Sequence, residues 1–288
     1  MSYLLDIVKR TELLHDFIVR NHGRVFRVFC YEDKEGDLKR PVRIRIVSES
    51  SLWVGADGTD DSIEVATKPS ALTEADIVES ISRGHWASFD GRTLVAAWLL
   101  TNQRGYTDGL QLGVLGPNEG LVIAQFFVIG SALSLKMSDA PVVCTGSLGR
   151  LESGSELRKR GEALARQLVI LERSVEDCTV LSDVLCRRVG EIVVGVILVF
   201  GQRALSIQLT GADARADLLD QVPRDCESMV GDSPWSGLVG SGLMWLWCLT
   251  DIAGRIAGFQ AEFWINGEAA GTRQALAVDE ELKIFELN

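Results

Sequence analysis

The alternation of apolar and polar positions predicts one helix followed by a run of strands, twice over. Residues 3–20 place Leu4, Val8, Leu14 and Ile18 on one face and Lys9, Arg10, Glu12 and Asp16 elsewhere. That is the 3.6-residue period of an amphipathic helix. Residues 155–174 repeat it with Leu157, Leu164, Leu168 and Leu171, and Glu156/Arg160 and Glu162/Arg166 stand four apart on the polar side. Strand patterns cover 24–31, 41–47, 51–55, 93–101, 108–115 and 121–136 in the first half. In the second half they cover 190–200, 204–209, 242–250, 257–265 and 271–286. Asn266-Gly267 between two of these is a tight-hairpin signal. Short helices are expected over 72–83 and 214–221, and the Ser/Gly/Pro-rich stretch 138–155 reads as the linker. The expected fold class is α+β, with units over 1–140 and 155–288 and a linker over 141–154.

The repetition extends to residue identities. Shifting the sequence by 149 positions aligns Trp86–Leu135 with Trp235–Ile284 without a gap. Trp86, Gly91, Leu94, Trp98, Leu100 and Thr101 fall on Trp235, Gly240, Leu243, Trp247, Leu249 and Thr250. Gly105, Gly109, Gln111, Glu119, Gln125 and Leu133 fall on Gly254, Gly258, Gln260, Glu268, Gln274 and Leu282. Upstream, a shift of 153 pairs Leu52, Gly58 and Asp60 with Leu205, Gly211 and Asp213. Matches in rare tryptophan make chance a poor explanation, so a tandem duplication is expected. The shared motif W-x-L-T-x3-G-x3-G-[LF]-Q reads as two long antiparallel strands whose glycines allow a tight turn. Trp98 and Trp247 are then expected at equivalent core positions.

The stretch W-L-L-T-N-Q-R-G-Y-T-D-G-L-Q-L, Trp98 to Leu112, resembles a bacterial family of immunity-protein-like α+β domains. The likeness covers roughly 40–136 and again 190–288. The family is an uncharacterised one, and the likeness carries no known activity with it.

Composition narrows the classes. The 288 residues are 47% hydrophobic and 24% charged, enough for a real core. Forty acids against 29 bases give a net charge of −11, which argues against generic nucleic-acid binding. The six cysteines form no C-x-x-C pair and read as free thiols of a reducing compartment. The longest apolar run, Ile192–Phe200, is nine residues, too short to span a bilayer as a helix. A soluble cytoplasmic protein, with no membrane partner, is the expectation.

Reactive motifs are missing. No Walker loop, dinucleotide fingerprint, G-x-S-x-G elbow, H-E-x-x-H or S-x-x-K occurs. Of the three histidines, His15 and His22 lie seven apart on or near one helix, and His85 falls opposite Pro234 in the repeat. Asp57, Asp60 and Asp61 lack the spacing and closing Glu of a calcium loop. No catalytic residue, metal or cofactor is therefore expected.

Two features remain as candidate binding surfaces. The first is the polar loop Asn102, Gln103, Arg104, Tyr106, Thr107 and Asp108, whose counterpart Asp251–Ala257 is largely apolar. Either the first loop is a binding site that the second copy lost, or the second is buried while the first is solvated. The second feature is acidic: nine acids lie between Glu49 and Asp90, Asp57, Asp60 and Asp61 among them, and six between Asp213 and Asp232. Such a stretch either solubilises the protein or steers a basic partner. The reading that follows is an acidic protein-binding protein, in its most concrete form an immunity protein that neutralises a toxin such as a nuclease. Two alternatives stand beside it: an adaptor that forms a homodimer through its Trp-rich second repeat, and an enzyme with a site around Arg104, Tyr106 and Asp108.

Overall fold

The computed structural model describes residues 2–33, 41–56, 62–68, 77–81, 89–115, 121–129, 132–139, 154–229, 231, 234–235 and 237–287. Helix α1 (Ser2–Asn21) opens the chain. Strands β1 (Arg27–Asp33), β2 (Pro41–Val47), β3 (Ser51–Ala56), β4 (Ile63–Ala66) and β5 (Ile77–Ile81) form a sheet in the order β4-β3-β2-β1-β5. Strands β6 (Thr93–Asn102), β7 (Thr107–Leu115), β8 (Leu121–Ile129) and β9 (Ala132–Asp139) follow as neighbours in sequence order. Helix α2 (Gly154–Asp177) starts the second set. Strands β10 (Asp183–Val189), β11 (Ile192–Phe200), β12 (Arg203–Thr210), β13 (Asp213–Leu219) and β14 (Glu227–Ser228) take the order β13-β12-β11-β10-β14. A second meander of β15 (Gly242–Asp251), β16 (Ile256–Ile265), β17 (Glu268–Val278) and β18 (Glu281–Leu287) completes it. The class is α+β with far more strand than helix, and the two sets share one order of elements.

The chain divides into two compact units. The first holds residues 1–100, 107–158 and 251–254, the second 101–106, 159–250 and 255–288. In the first unit, Leu14, Phe17 and Ile18 of α1 meet Val28, Ile44, Ile46, Leu52 and Val54 of the five-stranded sheet and Leu110, Leu112, Val114 and Phe126 of the meander. Ile252 belongs to the same core. Phe26, Phe89 and Phe126 link these layers, with ring centroids 4.8 and 5.3 Å apart. Truncating one such buried Phe to Ala costs about 3–5 kcal/mol. In the second unit, Leu164, Leu168 and Leu171 of α2 and Val184, Val196, Leu198, Leu205 and Ile207 of the sheet are buried. Gln167 on α2 accepts a hydrogen bond from the Ala216 amide at 2.6 Å, tying the helix to β13.

Several expectations need correction. Residues 214–221 are not a helix: β13 covers Asp213–Leu219, with Ala214 and Ala216 buried and Arg215 exposed between them. The alternation is carried by alanines, which also favour helix. Residues 77–81 of the expected helix 72–83 form β5. The single strands over 121–136 and 271–286 are each two strands. Strand β10, absent from the expectation, pairs with β11 from Asp183↔Val199 to Val189↔Ile192. Within each half the strands fall into a five-stranded sheet and a four-stranded meander rather than one continuous sheet.

The repeat motif is accounted for by geometry. Trp98 and Trp247 are each 6% exposed, at the sixth position of β6 and of β15. Gln111 faces Gln125 across β7 and β8, and Gln260 faces Gln274 across β16 and β17. In the first pair Nε2 of Gln125 donates to Oε1 of Gln111 at 2.5 Å. The two glycines do different work. Gly105 and Gly254 sit in the hairpin turns at φ +89° and +75°, where a Cβ is strained. Gly109 and Gly258 are strand residues. A Cβ on Gly109 would lie 2.9 Å from Cε1 of Phe127, and one on Gly258 would strike the Ala275 carbonyl oxygen.

Candidate functional site

The polar loop between β6 and β7 is an Asx turn. Oδ1 of Asn102 accepts from the Arg104 amide at 2.9 Å and the Tyr106 amide at 3.1 Å. The Gly105 amide donates to the Asn102 carbonyl at 2.9 Å, and the Asn102 amide to the Tyr106 carbonyl at 2.9 Å. An asparagine placed so satisfies backbone donors that the turn would otherwise strand. The second hairpin keeps the device. Oδ1 of Asp251 accepts from Ala253 at 2.9 Å and the Gly254 amide donates to the Asp251 carbonyl at 2.9 Å.

What differs is the residue after the Asx. Gln103 donates its amide to the Leu246 carbonyl at 2.9 Å and accepts from the Leu246 amide through Oε1 at 3.0 Å. It clamps β15 as a short piece of strand would. Its counterpart Ile252 lies 6% exposed in an apolar core. Asn102 and Gln103 are thus buried, whereas Arg104 is exposed and Tyr106 is 48% exposed. Of the six loop residues singled out from the sequence, the turn gathers Asn102, Gln103, Arg104 and Tyr106. Asp108 is half-buried at the second position of β7. Asp57, Asp60 and Asp61 lie outside the described residues.

The guanidinium of Arg104 lies over the Trp245 ring, 5.2 Å from its centroid. Trp245 in turn stacks on Trp247 at 6.1 Å and 29°. Across β16, Trp264 donates its Nε1 hydrogen to Oε1 of Glu262 at 2.6 Å. Trp245 and Trp264 are both half-buried. Sequence reasoning missed this group because tryptophan was assigned to the core. A signal was present: Trp245 and Trp264 fall on Ala96 and Leu115 when the halves are aligned, so neither has a tryptophan counterpart in the first half.

The acidic stretches are less negative than their sequence. Glu49 pairs with Arg24 at 2.6 Å, and Glu64 with the buried Arg43 at 2.8 Å. Asp90 accepts from the Val28 amide at 2.7 Å and lies 3.9 Å from Arg27. In the second half Asp217 pairs with Arg215 at 2.8 Å, and Glu227 lies 3.7 Å from Arg188. Exposed pairs of this kind add little stability but cancel local field.

Reactive chemistry is sparse among the described residues. No group of three or more His, Cys, Asp or Glu side chains is gathered to hold a metal ion. His15 lies 3.8 Å from Asp16 on the same helix. Burial, and then the neighbouring Asp177 charge, push the Cys178 thiol up to about 11, with Arg203 opposing. Burial alone pushes Cys248 further up. Both thiols are therefore protonated and poor nucleophiles at neutral pH. Burial lowers the Arg273 pKa, while Glu286, 3.1 Å away, holds it charged. No helix of the described residues is long and apolar enough to cross a membrane.

Residues 12–141 match the model of a family of unknown function, DUF6334. No curated protein and no solved structure matches the chain.

Proposed function

We propose that this chain is a non-enzymatic cytoplasmic binding protein that engages a basic protein partner. The observation that carries the reading is the Asx turn after β6. Its buried polar groups, Asn102 and Gln103, are committed to backbone, and it leaves Arg104 exposed over the Trp245 ring and Tyr106 exposed to solvent. Arginine and aromatics on a display loop are the composition of a protein interface rather than of a reaction centre. The net charge of −11 selects a basic partner. The most concrete form is an immunity protein that neutralises a basic toxin such as a nuclease. The shared order of elements in the two halves supports descent from a duplicated unit, with Gln103 and Ile252 marking where the copies diverged.

The test is capture of partners by the full chain from the source cell, at low and at moderate salt, followed by association kinetics. The expected partner has a clear excess of Lys and Arg, and its association rate falls with salt. An acidic partner, or a rate indifferent to salt, overturns the reading. A second reading, self-association through the Trp-rich second meander, rests on Met244 and Ile265, 41% and 38% exposed at one end of β15 and β16. It predicts a dimer in sedimentation at micromolar concentration.

A further inference from the structure

Trp264 combines three properties that neither Trp245 nor Trp247 combines. Its indole is fixed at the edge, because Nε1 donates to Glu262 at 2.6 Å. It is half-buried rather than enclosed. Among the described residues, no ring and no guanidinium is stacked on it. Local irregularities set its position. The β15–β16 register skips Met244, so that Leu243 faces Phe263 and Trp245 faces Glu262. The β16–β17 register skips Ala270 opposite Phe263 and Trp264. Bulges of this kind twist the strand and re-aim side chains, and they recur beside functional surfaces.

Next to it, Trp245 shows what such a ring takes on this surface. One neighbour is Trp247, and the other is the guanidinium of Arg104. A tryptophan ring with a carboxylate at its edge attracts a cation twice, through the ring quadrupole and through the charge. We infer that Trp264 and Glu262 form a socket for an arginine or lysine side chain of the basic partner. The inference rests on the binding role proposed above. Charge complementarity chooses the occupant, since the chain carries 40 acids against 29 bases.

The probe is a fluorescein-labelled peptide of alternating Arg and Gly, titrated against the full chain at several salt concentrations. Trp264→Leu and Glu262→Gln are compared with Glu172→Gln, which removes one exposed charge on α2 of the same unit, outside both acidic stretches. The socket predicts at least a tenfold weaker dissociation constant for Trp264→Leu, several-fold for Glu262→Gln, and little change for Glu172→Gln. Melting curves of the variants, and a Trp264→Phe variant that keeps a ring and recovers part of the affinity, separate binding from folding. If Trp264→Leu binds the peptide as tightly as the wild type in a salt-dependent manner, the basic-partner reading stands and the socket is overturned. If the wild-type chain shows no salt-dependent binding, the basic-partner reading itself falls, and the socket with it. If Trp264→Leu instead converts a sedimenting dimer to monomer, the surface is a self-association seam and the socket is overturned.

Discussion

Asn102 and Gly258 show how single positions carry the local backbone. Asn102→Ala removes the acceptor of two turn amides in a site 5% exposed. The loss should be about 1–2 kcal/mol, since stranded buried donors cost more than a hydrogen bond yields. Asn102→Asp keeps the acceptor, as Asp251 does in the second turn, and should melt close to the wild type. Thermal denaturation of the two variants checks this; equal losses would remove the Asx turn from the argument. Gly258→Ala is a harsher change. The added methyl meets backbone of β17 rather than a movable side chain. We expect about 2 kcal/mol or more of destabilisation, larger than that from an ordinary glycine-to-alanine change. A variant as stable as the wild type would contradict the close strand approach. The motif made all four glycines visible in the sequence, but it assigned them to one turn. Spacing alone cannot separate a glycine needed for positive φ from one needed because a neighbouring strand passes too close.

At the scale of elements, legibility followed the strength of the period. Helices α1 and α2 were readable because large apolar residues recur at i, i+3, i+4 and i+7. Strand β13 was not, because its inward residues Ala214 and Ala216 are small and good helix formers. Strand β10 was hidden by its length: only Val184, Leu185 and Cys186 are buried, followed by two arginines. The tryptophans of β15 and β16 were legible as residues but not as a surface, since bulges shift the face that a period of two assigns. The end of α2 offers an element-scale test. The Cys178 amide donates to the Ser174 carbonyl at 2.9 Å, and the fully buried thiol has its pKa raised from about 9 to about 11. A group with a raised folded-state pKa contributes fully below its unfolded value, and that contribution drains away as pH rises to the folded one. Stability should therefore fall between pH 9 and pH 11, by about 2 kcal/mol from this thiol. Denaturant melts of Cys178→Ala against the wild type should show a flatter alkaline slope in the variant. Parallel slopes would mean that the thiol does not titrate with folding.

At the scale of the molecule, charge was the most legible property and the least specific. The excess of eleven acids is plain in the sequence, yet Glu49, Glu64, Asp90, Asp217 and Glu227 all have arginine partners close by. Under the proposed binding role, steering falls to the net charge of the stretch from Glu49 to Asp90, whose sequence holds nine acids, Asp57, Asp60 and Asp61 among them, against two cations, Lys68 and Arg83. Field from such a group reaches about 10 Å at 0.1 M salt and about 8 Å at 0.15 M. Steered association rates fall steeply over that range, whereas dissociation is set by contacts that salt reaches less. Replacing the three aspartates together by asparagine should lower the association rate with the basic partner at 0.05 M salt by about tenfold, leaving dissociation nearly unchanged. The same substitution should bring the rate at 0.3 M salt to within about twofold of the wild type, because screening has already removed what the mutation removes. Stopped-flow association at both salt concentrations decides it. A variant that associates as fast as the wild type at low salt would leave the turn of Arg104 and Tyr106, and not the acidic stretch, as the feature that chooses the partner.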